Sequence, residues 1–116
     1  MNDVAEMLAL SRKLISEIQH EITKLGSQPI CHHFSSEKAD YDSPEERQYL
    51  NVIIPALTER GLDVDAIGGP FGVEAWERTE PNEAWVSSTV PAMCAIGDKA
   101  GCIYQGWSWE PPRVPT

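Results

Sequence analysis

The feature that most constrains this chain is an apolar stripe running through its first 25 residues. Val4, Leu8, Ile15, Ile18, Ile22 and Leu25 recur at helical spacing, with Met7 and Leu14 beside them. Arg12, Lys13, Glu17 and Lys24 lie off the stripe. Asp3 and Glu6 have capping-box spacing, with Asp in place of the usual Ser or Thr. Gly26 can take the left-handed conformation that closes a helix. The pattern predicts a helix over 3–25 whose long apolar face must be covered by a sheet, another helix or a second subunit.

A second helix is predicted over 44–60. Ser43 is its cap, Pro44 takes the first helical position and Glu46 completes the box. Its apolar residues are Tyr49, Leu50, Ile53, Ile54 and Leu57, and Gly61 stops it. Pro55 has no N–H for the carbonyl of Asn51, so a kink or break is expected there. Between the helices, Gln28-Pro29 restarts the chain in an extended form. Residues 30–35 form a short candidate strand with Ile30, His32 and Phe34 on one side, and 36–42 read as a loop.

From Leu62 the period falls from 3.6 to 2. Leu62, Val64 and Ala66 alternate with Asp63 and Asp65, and Gly68-Gly69-Pro70 ends that strand. Phe71–Thr79 reads as the next strand and Ala84–Val90 as its hairpin partner, across a turn at Glu80-Pro81-Asn82-Glu83. Pro91 implies a bend or an edge position. Met93–Asp98 and Cys102–Trp109 read as a last hairpin. Asp98-Lys99-Ala100-Gly101 fits a type I turn with a glycine bulge, opposing Ile96 to Tyr104 and Cys94 to Gly106. The expected fold is α+β: two helices on one face of a mostly antiparallel sheet of four to five strands drawn from 62–109. The Pro-rich segment 110–116 is expected to be a poorly ordered tail.

The length of 116 residues fits one domain, 1–116. A net charge of −9 argues against nucleic-acid binding, which needs basic residues on phosphate. No apolar run is long enough to span a membrane, and no basic-then-apolar start marks a signal peptide, so a cytoplasmic location is expected. Cys31, Cys94 and Cys102 are odd in number, which argues against a disulfide framework.

Cys31-His32-His33 is the most reactive-looking tripeptide. On a strand Cys31 and His33 share a side while His32 points away. A Cys-x-His pair can begin a zinc site, but the spaced second pair is missing, so no metal and no cofactor is expected. Asp40 and Asp42 with Glu45 and Glu46 lack EF-hand spacing, and capping explains the two glutamates. There is no local catalytic motif, so a non-enzymatic role is the expectation.

The four tryptophans all follow residue 75. Trp76, Trp85, Trp107 and Trp109, with Tyr104, predict an aromatic sheet face, either core or binding surface. Trp107 and Trp109 are two apart and share a strand face. The leading expectation is a non-catalytic, self-associating interaction domain that uses this face and the first helix's stripe, with a second copy as partner. One alternative is a binding protein for a small apolar or aromatic ligand, with His32 and Asp63 as polar pocket residues. Another is an acidic inhibitor of the kind phages and mobile elements carry, mimicking nucleic acid. It needs Glu37, Asp40, Asp42, Glu74, Glu77 and Glu80 aligned on one face.

Overall fold

A computed structural model describes residues 2–109. The expected tail, 110–116, lies outside the described residues. The first helix, α1, spans Val4–Leu25, and the Asp3 carboxylate accepts the Glu6 N–H at 3.0 Å. Strand β1 (Gln28–Ser35) leads to helix α2 (Pro44–Glu59), strand β2 (Asp63–Ala66) and strand β3 (Val73–Thr79). Helix α3 (Glu83–Ala100) and strand β4 (Ile103–Trp109) complete the order. The helix α2 begins as the sequence predicts, with Ser43 Oγ accepting the Glu46 N–H at 3.1 Å. It stays helical on both sides of Pro55. The Glu46 side chain does not close a capping box on Ser43. One of its oxygens accepts the Asp42 N–H at 3.1 Å, and the other accepts the Gly69 N–H at 2.6 Å.

The sheet is antiparallel, in the order β2-β3-β1-β4. The connections β1-α2-β2 and β3-α3-β4 each span one intervening strand, which gives the split βαβ arrangement called ferredoxin-like. Helix α1 is an addition in front of it. All three helices lie on one sheet face, with α3 between α1 and α2. The candidate strand at 30–35 is thus a central strand. Ile30, His32 and Phe34 are fully buried beneath the helices.

Two expected strands are corrected. Ala84–Val90 and Met93–Asp98 are not strands but successive parts of α3, so the sheet has four strands and the helices number three among the described residues. The hairpin pairs of Tyr104 with Ile96 and Gly106 with Cys94 do not form, because β4 pairs with β1. The physical reason is that a helix end and a turn use the same local chemistry. Asn82 Oδ1 accepts the Trp85 N–H at 2.9 Å, so this residue caps a helix instead of sitting inside a turn. At the other end Gly101 is left-handed, with φ 75°. Its N–H bonds Asp98 C=O, and the Cys102 N–H bonds Gly97 C=O at 2.8 Å, forming a Schellman cap.

Asn2 fastens the amino end to β4. Its side-chain oxygen accepts the Tyr104 N–H at 2.7 Å, and its amide donates to Cys102 C=O at 3.1 Å and to Asp98 at 2.7 Å. The backbone and side-chain N–H groups of Asn2 hold the Asp98 carboxyl below its ordinary range. Asn2→Ala is expected to lose about 1–3 kcal/mol, since the Tyr104 N–H is left without its acceptor. Urea denaturation measures this, and an unchanged midpoint would refute it.

Candidate functional site

Pairing register decides which side chains meet. On the helix-covered face, His32 lies opposite Ala75 on one neighbour and Trp107 on the other. His32 Nε2 is 2.7 Å from Glu77 Oε2, and its Nδ1 is 2.7 Å from the Tyr104 hydroxyl. The Trp85 indole N–H donates to the other Glu77 oxygen at 3.0 Å. A carboxylate only accepts, so His32 Nε2 donates to it and a neutral ring leaves Nδ1 to accept from Tyr104. Trp85 and Trp107 meet edge to face at 5.0 Å, and the Trp107 indole N–H donates to Ser11 Oγ at 3.0 Å. Desolvation acts to raise the Glu77 carboxyl, but the hydrogen bonds from His32 and Trp85 and the Arg60 charge act against it, and the net shift is downward. Burial drives the Tyr104 hydroxyl well above its ordinary range.

Trp85, Tyr104, Trp107 and His32 therefore converge, but in the interior. His32 and Tyr104 are almost completely buried, and the relay meets solvent only through Glu77, whose side chain is 23% exposed. Trp109 shares the helix-covered face, opposite Ile30, and its indole N–H finds no acceptor among the described residues. A bulge makes this possible. Between the Tyr104 and Gly106 pairings one extra residue, Gln105, enters β4, and Trp107 and Trp109 thereby face the same way as Tyr104.

Trp76 and Asp63 do not join this cluster. They pair with each other on the helix-free face, and Trp76 is about one third exposed. Trp76 and Trp85 are not cross-strand neighbours, since Trp85 is on α3. Glu74 and Glu77 lie on opposite faces of β3, so these two residues do not form the acidic row a nucleic-acid mimic needs. Beside Asn2, Asp98 and Tyr104 lies a cleft of about 660 Å³ that contains no tryptophan.

The helix-free face is polar, as suits the wet side of an antiparallel sheet. Cys31 and His33 share it, as their spacing predicts. The register sets His33 opposite Glu74 on β3. The sequence offers no spacing signal for Glu74, because it arrives from another strand. None of the three cysteines is in a disulfide. Burial raises the Cys102 thiol to about 11, and burial followed by the Asp98 charge raises that of Cys94.

The remaining candidate surface is the outer flank of α1. Only Ser11 and Ile22 of this helix are fully buried. Leu10 is 53% exposed, and Met7 and Leu14 are partly so. At 100° per residue, Glu6, Leu10, Lys13, Leu14, Glu17, Glu21 and Lys24 fall on one flank. The other flank faces α3, where Arg12 pairs with Glu83 at 2.8 Å. No helix among the described residues is long and apolar enough to cross a membrane. Comparison with protein-family models, curated proteins and solved structures finds no match to the chain.

Proposed function

We propose that the chain is a non-catalytic interaction domain that self-associates through the outer flank of α1. The observation carrying this reading is the incomplete burial of an apolar helix: Leu10 is more than half exposed beside half-covered Met7 and Leu14. The aromatic sheet face, expected to share the role, is occupied by the protein's own helices. The choice of a second copy rests on charge. The outer flank of α1 carries Glu6, Glu17 and Glu21 against Lys13 and Lys24, whereas the whole chain carries −9. Two copies therefore repel only weakly across this flank. In one antiparallel register Glu6 lies opposite the partner's Lys24, and Lys13 lies opposite the partner's Glu17. Leu14 from each copy then sits near the two-fold axis, as a self-complementary interface requires.

The test is light scattering on the full chain, across a concentration series. A dimer is expected for the wild type. Lys13→Glu should give a monomer, because it sets two like-charged pairs across the axis. Lys13→Glu with Glu17→Lys should restore the dimer. A wild type that stays monomeric, or a double variant that fails to recover while remaining folded, overturns the reading.

A further inference from the structure

We infer that Cys31, His33 and Glu74 form a three-ligand site for a zinc-like divalent ion on the helix-free face of the sheet. One donor atom from each residue lies within 4.8 Å of the others. The site is built by register: Cys31 and His33 are two apart on β1, and Glu74 pairs with His33 from β3. It lies opposite the α1 flank's side of the fold and is independent of self-association.

Three observations select this ion class. A thiolate, an imidazole and a carboxylate together suit zinc and its neighbours, not magnesium or calcium. Cys31 as thiolate and Glu74 as carboxylate supply two negative charges, so a divalent ion leaves the site neutral. This matters because the thiol side chain is buried. Last, His33 is oriented for ligation. His33 Nε2 lies 2.9 Å from Ser108 Oγ, while its Nδ1 faces Glu74 Oε1 at 3.9 Å. A Nε2–H donated to Ser108 leaves the lone pair on Nδ1, which is how a ligating histidine is held from its outer side.

Ligands at zinc distances require the donors to close in by roughly 1 Å, which side-chain rotation can supply. His33 is 40% exposed and Glu74 is 30% exposed, which leaves an entry path from solvent. Three protein ligands leave a fourth tetrahedral position for water. Binding displaces the Cys31 proton to solvent and forms the sulfur–metal bond, with no change of oxidation state.

Cobalt(II) is the probe, titrated alone into the reduced full-length protein. One equivalent is expected to bind, with the near-ultraviolet absorption of a thiolate–cobalt bond and the intense visible bands of tetrahedral geometry. Zinc should displace it. Cys31→Ser should abolish the near-ultraviolet band. His33→Ala and Glu74→Gln, both at partly exposed positions, should each weaken binding strongly. Ser108→Ala should weaken it about 10–100-fold, the usual effect of removing an outer-shell partner. No stoichiometric binding overturns the inference. A thiolate band that survives Cys31→Ser, or an affinity that survives both His33→Ala and Glu74→Gln, also overturns it.

Discussion

Gly72→Ala is expected to remove a large share of the domain's stability. Gly72 sits at φ 68°, just before β3, where its backbone presses against the central strand. A Cβ placed there would be 2.1 Å from Phe34 O and 2.8 Å from Phe34 C. Those are backbone atoms of β1 and cannot rotate aside. Moving Gly72 instead would break the bonds its carbonyl accepts from Ile67 N–H at 3.1 Å and Gly68 N–H at 2.9 Å. The loss should exceed about 4 kcal/mol, against a total of ~5–15 kcal/mol for a domain. Gly61 is the control. It also has a positive φ, of 86°, but a Cβ there would meet nothing within 4 Å. Gly61→Ala should cost only ~1–2 kcal/mol of backbone strain. Equal denaturation midpoints for the two variants would exclude steric contact as the cause.

His32→Ala is expected to cost about 3–5 kcal/mol, combining a core cavity with polar groups left unpartnered. The Tyr104 hydroxyl is the more affected of these, being buried, while Glu77 keeps partial access to water. Tyr104→Phe should cost less, about 1 kcal/mol, since it removes one partner and no volume. A His32→Ala midpoint equal to wild type would show that the relay contributes no stability. Glu77 adds a pH signature. Its folded carboxyl is depressed, so its contribution is present above the ordinary glutamate range and is lost as pH falls through the folded value. Glu77→Gln should therefore lose stability near neutrality and show a flatter acid limb, measured by urea midpoints from neutral pH downward.

The first half of the fold was legible in the sequence because its signals are local. Asp3, Ser43 and Pro44 mark helix starts that hold, and the α1 stripe gives the buried face. Helix α3 was obscured for a physical reason. Ser88-Thr89-Val90-Pro91 carries strand-like and helix-breaking residues, and Asn82 and Gly101 serve turns and caps equally. The spacing of Val86, Val90, Met93, Gly97 and Ala100 is nevertheless helical, and these positions are buried. That repeat was the signal to weigh against the turn residues. The metal-ligand triad could not be read, because Glu74 joins Cys31 and His33 only through pairing register. Nor could the meeting of His32 with Glu77 and Tyr104, which comes from three strands.

The place of β1 in the sheet also has a consequence for synthesis. It precedes the other three strands of this sheet in chain order, yet both of its neighbours, β3 and β4, come after β2, and the contact of Ile30 with Trp109 waits for β4. Closing such long loops slows folding. Until β4 emerges, a nascent chain carries a strand that bears no Asp, Glu, Lys or Arg and has one open edge. A chaperone that shields extended chain should therefore find its target at this strand until β4 is made.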